Sequence, residues 1–181
     1  MIRSLVGIIG FGLISLTSCM DIEASQHLDR IAELNQTVDS VETVFNEHKM
    51  DSIGAISLNA YTIENRVKRN YQADTIDMEL GRKMDAFKLM RKSLKSLGTA
   101  QSSIPVSIEE ERTKLKELKN DIENGDGERE KYAEYVAFEE NKVNQLRVLL
   151  KDYVTTKESV VSTYKELHDE LNNFSLSLLE Q

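Results

Sequence analysis

The side chains able to carry chemistry in this chain are few and scattered. Cys19 is the only thiol, and it directly follows the small residues Thr17 and Ser18. The three histidines, His27, His48 and His168, lie far apart. No two have the i, i+4 spacing that places a pair of imidazoles on one helical face for zinc, and no Glu-x-x-His run suggests a helical di-iron site. Solvated helix faces account for His27, four residues after Glu23, and for His168 beside Asp169 and Glu170. Asn124-Gly125-Asp126-Gly127 has the outline of a calcium loop. Aligning Gly127 with the loop glycine puts Ile122 and Ala133 at the first and last ligand positions, where carboxylates are required. The segment therefore reads as a turn between helices. The remaining candidate is the group Asn70, Asp74 and Asp77, which the helical register carries toward an interior, where carboxylates bind a ligand or exchange protons. A register shift would turn the same residues to water. No Gly-rich phosphate loop, no supported Ser-His-Asp order and no cysteine pair is present, so the sequence implies no enzyme, no metal and no cofactor.

The surroundings of Cys19 are more informative. The chain opens Met1-Ile2-Arg3 and runs apolar from Leu5 to Leu16, the layout of a secretory signal peptide. The apolar run is about 12 residues, short of the roughly 20 that a membrane-spanning helix needs. Leu16-Thr17-Ser18-Cys19 then resembles the lipobox of bacterial lipoprotein precursors: an aliphatic residue, two small ones and a cysteine. The resemblance implies a diacylglyceryl group on the Cys19 sulfur, cleavage between Ser18 and Cys19, and acylation of the new amine, for example by palmitate. Two or three acyl chains, at about 0.8 kcal/mol per buried methylene, make a durable membrane anchor. An ordinary signal peptide before an incidental cysteine, or an anchor that is never removed, are the alternatives. A lone exported cysteine has no internal disulfide partner and would leave a reactive thiol, a difficulty that lipidation removes. The implied organisation is a cleaved segment 1–18, a lipidated N-terminus and short tether 19–26, and a body 27–181. In enteric bacteria an aspartate directly after the lipidated cysteine retains the protein on the inner membrane. Here Met20 holds that place and Asp21 follows, which favours the outer membrane in a cell that has one. The mature part loosely resembles uncharacterised helical lipoproteins of Bacteroidota, with no motif beyond the lipobox.

Removing residues 1–18 takes the formal charge from −8 to −9, because Arg3 is the only charged residue lost. Nucleic acid is a poor partner for such a chain, since phosphate contacts need concentrated Lys and Arg. Residues 66–95 form the one basic region, fit to face anionic lipid, an acidic partner or the acidic faces of neighbouring helices. One proline, no tryptophan and abundant Glu, Lys and Leu suit long helices rather than sheets, which need frequent turns.

The apolar spacing defines those helices. Ile31, Leu34, Val38, Val41 and Phe45 fall in alternating steps of three and four, a heptad seam. A turn at Asp51-Ser52 with Gly54 precedes a second stripe through Ile53, Ile56, Ala60, Ile63 and Val67, with Asp51 or Ser52 as the cap. Between Asn70 and Gly81 the seam must shift, with Asp74 able to cap a new helix carrying Ala73, Ile76, Leu80, Met84, Phe87, Met90, Leu94 and Leu97. Gly98 and the polar stretch Thr99 to Pro105 read as a connection. Ser107-Ile108-Glu109-Glu110 then reads as a capping box opening a short third helix with Leu115, Leu118 and Ile122. The last helix has the longest stripe, Val143, Leu146, Leu150, Tyr153, Val160, Tyr164, Leu167, Leu171, Phe174 and Leu178, interrupted at Lys157. The expectation is an all-α fold: an elongated antiparallel helical bundle or coiled coil with a long C-terminal helix. A short third helix would cover only part of that stripe, leaving the rest to the first two helices, an envelope protein or a second copy of the chain. Functionally, the sequence points to a lipid-anchored structural or interaction module of the cell envelope. The alternative is a carrier or sensor holding a small apolar ligand or lipid between helices.

Overall fold

The computed structural model describes residues 17–73, 75 and 77–180. Over these the chain forms α1 (Thr17–His48), α2 (Ile53–Asn70), α3 (Met78–Asn124) and α4 (Tyr132–Ser177), with a turn of 3-10 helix at Arg129–Lys131 before α4. The fold is an all-α bundle. The long helices α3 and α4, with 47 and 46 residues, form an antiparallel hairpin. At 1.5 Å per residue each is about 70 Å long, so the bundle is a rod.

α1 and α2 lie end to end along the groove of that hairpin, antiparallel to α3 and parallel to α4. Cross-helix pairs fix this arrangement: Arg112 bonds Asp39 and Glu42, Arg91 bonds Glu64, Arg30 bonds Glu140, and Arg66 bonds Asn172. α1 therefore covers the half nearer the α3–α4 turn and α2 the other half. The α4 stripe is covered within the chain, by α3 throughout and by α1 and α2 in succession. A second copy is not needed to bury it.

The heptad seam of α1 is buried as the spacing dictates, with Ile31, Leu34, Val38, Val41 and Phe45 all in the core. In α2, Ala60, Ile63 and Val67 are buried. Along α4, Val143, Leu146, Leu150, Tyr153, Val160, Leu167 and Leu171 face inward, and at the C-terminal end the small Ser175 enters the core while Phe174 and Leu178 are half-buried. There the register is one residue off the expected stripe, and the Phe174 ring packs edge-on against Tyr71 instead.

α3 corrects the largest expectation. No connection runs from Thr99 to Pro105 and no short helix begins at Ser107: a single helix passes through Gly98 and Pro105 to Asn124. Ser107 and Glu110 are thus mid-helix residues and form no capping box. The seam continues across the supposed loop as Leu97, Gln101, Ile104 and Ile108, where Gln101 is the one polar member. A proline inside a helix costs about 3 kcal/mol through its missing amide and its ring clash. Burial of Leu97, Ile104 and Ile108 against two neighbouring helices offsets that penalty. The polar residues of the stretch fold back onto their own helix: the Thr99 and Ser102 hydroxyls donate to the carbonyls of Lys95 and Gly98, each at 3.1 Å.

The helix ends also differ from the sequence reading in detail. α2 begins after Ser52, which makes no side-chain cap bond. α3 is capped by Asp77 instead of Asp74: its Oδ1 accepts from the amides of Glu79 and Leu80, both at 2.9 Å. Asn124-Gly125-Asp126-Gly127 is a turn, as read. Gly125 adopts φ 70°, with its amide donating to the Ile122 carbonyl and the Asp126 amide to that of Asp121, a Schellman ending. The Arg129 guanidinium lies where a Gly125 Cβ would be but, as the end of a flexible side chain, can move aside, so it is the left-handed backbone that calls for glycine.

Candidate functional site

Ser18 and Cys19 fall in the first turns of α1, and Leu16 lies outside the described residues. Residues 19–26, read from the sequence as a tether, are helical. Glu23, Ala24, His27 and Leu28 lie against Ile122, Gly125, Arg129 and Tyr132, so the start of α1 sits at the α3–α4 turn, at one end of the rod. Tyr132 holds that end together, its buried hydroxyl lying within hydrogen-bond reach of the Asp121 and Asp126 carbonyls. Among the described residues, no helix is long and apolar enough to cross a membrane.

Of the two readings of the polar group, the shift of register that turns it to water is the one that Asn70 and Asp77 follow. Asn70 is exposed and its side-chain amide donates to the Arg66 carbonyl at 2.8 Å. Asp77 is exposed and occupied in capping α3. Asp74 lies outside the described residues. The physical reason is the break itself: α2 stops at Asn70, so the register that would have turned these side chains inward does not continue. The nearest concavity, lined by Leu58, Tyr61, Arg66, Arg69, Asn70 and Leu179, is an open groove on the surface.

The histidines are half-buried rather than solvated, one near each end and one at mid-height. His27 approaches Glu23 at 4.0 Å. The His168 ring stacks 4.5 Å from Tyr164, with Nδ1 at 2.8 Å from Asp169. Among the described residues no three His, Cys, Asp or Glu side chains gather as metal ligands would.

Sequence reasoning missed two buried polar clusters. The first lies where α1 hands over to α2. There the Tyr153 hydroxyl, almost fully buried, sits 2.9 Å from the His48 carbonyl and 2.6 Å from Gln101 Oε1, which also accepts from the Met50 amide at 2.8 Å. These bonds satisfy backbone groups freed by the end of α1, so the knot is what a helix break inside a bundle requires. A polar residue at a seam position, Gln101, was its sequence signal. The second cluster is Glu111 on α3 facing Glu139 on α4. Burial, then the neighbouring Glu139 charge, raise the Glu111 carboxyl above the ordinary carboxylate pKa, and burial raises Glu139 as well. Lys142 pulls both down, and Lys114 pulls down Glu139. Glu111 Oε2 is buried without a partner. Two ionised carboxylates can only accept, so their proximity disfavours ionising both.

The basic region divides in two. Arg91 forks onto Glu64 at 2.6 and 2.9 Å, and Lys83 bonds Glu170 at 2.6 Å, tying α2 and α4 to α3. Lys88, Lys92 and Lys95, in contrast, are exposed on the outer face of α3 and enter no ion pair among the described residues.

Searches against protein-family models, curated proteins and solved structures return no match for this chain.

Proposed function

We propose that the chain is a lipid-anchored protein of the bacterial cell envelope whose rod-shaped helical body acts without catalysis, as a structural or protein-interaction module. The observation that carries this reading is the run Leu16-Thr17-Ser18-Cys19 directly after an apolar segment of signal-peptide length. The geometry supports it in one respect. Residues 23–28 pack at the α3–α4 turn, so a lipid on Cys19 would hold a rod of about 70 Å by one end. An end-held rod presents its sides to neighbours, which is suited to contact. Among the described residues its interior is filled by Leu, Ile, Val, Met and aromatic side chains, and no three His, Cys, Asp or Glu gather there. The carrier reading gains no observation of its own, because Asn70 and Asp77 are turned outward.

Expression of the full chain in a bacterial host with labelled palmitate tests the proposal. The expected product carries label, begins at Cys19 by mass spectrometry and sediments with membranes, while Cys19→Ala abolishes labelling and accumulates the uncut precursor. A mature chain that begins elsewhere, or remains unlabelled, would overturn it.

A further inference from the structure

The outer face of α3 is segregated by charge. Along the line opposite the buried residues Met90, Leu94, Leu97, Ile104 and Ile108, the exposed positions read Lys88, Lys92, Lys95, then Thr99 and Val106, then Glu110. The change of sign is centred on Thr99, with Lys88 eleven residues before it and Glu110 eleven after. One exposed apolar side chain lies on that line, Val106 at 57% exposure. Val106 and Pro105 line a shallow depression with Glu109 and Glu110. Beside this line a second groove, between α2 and α3, is bordered by Ile53, Ser57, Lys92, Lys95 and Thr99. The same asymmetry marks the whole rod: residues 21–50 and 100–155 hold 20 acidic and 11 basic side chains, whereas residues 51–99 and 156–180 hold 11 of each.

We propose that this face of α3 binds the same face of a second copy of the chain, antiparallel, with the twofold axis passing by Thr99. In an isologous pair each contact occurs twice. An antiparallel pairing about Thr99 brings Lys88 and Lys92 of one copy beside Glu110 and Val106 of the other, with Glu109 next to them. A parallel pairing sets lysine against lysine and glutamate against glutamate, which excludes it. The contact is a strip of one helix face about 35 Å long and some 10 Å wide, about 350 Å², less than the roughly 800 Å² per partner of a stable soluble complex. The pair therefore forms where copies are concentrated, as on a membrane. This deepens the interaction reading above by naming the partner, and it stands whether or not Cys19 carries lipid. The two α3–α4 turns, each 25 residues from Thr99, come to lie about 75 Å apart. Two copies anchored in one membrane would pair lying along it, with an anchor at each end.

The test uses the full chain in its native membrane with Thr99→Cys, oxidised by copper phenanthroline, alongside the unsubstituted chain as control for Cys19. The expected result is a disulfide-linked dimer that depends on Thr99→Cys and weakens in about 1 M salt, where screening acts within some 3 Å. Lys88→Glu with Lys92→Glu should abolish the dimer, and so should Glu109→Lys with Glu110→Lys. All four substitutions in one chain should restore it, and so should mixing the two reversed chains. No dimer from Thr99→Cys, or a dimer indifferent to charge reversal, would overturn the proposal. Loss on reversal without restoration by the fourfold exchange would also overturn it and point to an acidic partner or anionic lipid instead. Palmitate label reports the anchor separately: an unlabelled chain that dimerises sinks the anchor alone, and a labelled chain that does not dimerise sinks this inference alone.

Discussion

The two halves of the rod solve the same packing problem with different material. In the half covered by α1, five large apolar residues, Ile31, Leu34, Val38, Val41 and Phe45, are each at most 5% exposed and fill the groove between α3 and α4. In the half covered by α2, the equivalent stripe contributes Ala60, Ile63 and Val67, and α4 adds Ser175. What the α2 stripe lacks in apolar volume is replaced at the margins of the seam by the Arg91–Glu64 fork, the Arg66–Asn172 bond and the Tyr71–Phe174 ring contact. The lesson is that a helix with a thin stripe can be held by its flanks. Such contacts are more exposed to water than a core and are worth less each.

Breaking the thick half should have the largest effect. Leu115→Ala removes a fully buried side chain beneath α1 and should cost about 3 kcal/mol. Chemical denaturation should show the loss in every probe of unfolding. A smaller and more local effect is expected from Arg91→Ala, which leaves the half-buried Glu64 carboxylate unpaired, at about 2 kcal/mol. Amide hydrogen exchange should then rise in α2 well before α1, and equal rises in both would contradict the division into halves. Tyr153→Phe sharpens the comparison at the junction, because the hydroxyl that it removes serves carbonyls on both α1 and α3. It should cost about 1 kcal/mol, read as a Tm lower by some 2–4 °C.

The smallest effect depends on pH. Burial makes the Glu111 carboxyl hold its proton more tightly in the folded chain than in the unfolded one. Its contribution to stability is therefore full below the unfolded carboxylate pKa and is lost as pH rises through the higher folded value. Glu111→Gln should raise the Tm at pH 7 by 1–2 °C, about 0.5 kcal/mol after allowance for solvent screening, and change little at pH 4. A substitution that is destabilising at pH 7 would mean that the carboxylate is engaged by Lys142 rather than strained by Glu139.

Most helical faces were legible because each is a local pattern. The seams of α1 and α4 and the apolar part of α3 could be read from steps of three and four, since a residue's place on a helix depends on counting alone. The Schellman turn at Gly125 was readable for a similar reason. Gly98, the serines and Pro105 misled, because their helix propensities are local while the packing that overrides them comes from α1, α2 and α4. The expected break after Asn70 is there, and with it the outward turn of Asn70 and Asp77: once the helix stops, its register stops too.

The sequence by itself determined that the chain is helical and which side of each helix is apolar, and it alone carries the Leu16–Cys19 pattern behind the proposed anchor. Only the tertiary structure decided that α3 is one helix, that the long α4 stripe is satisfied within the chain, and that a lysine-rich and a glutamate-bearing segment share one outer face. The reason is that periodicity describes a helix against an unspecified neighbour. Whether a proline is tolerated, or a stripe is covered, depends on which neighbour arrives and how far along the helix it extends.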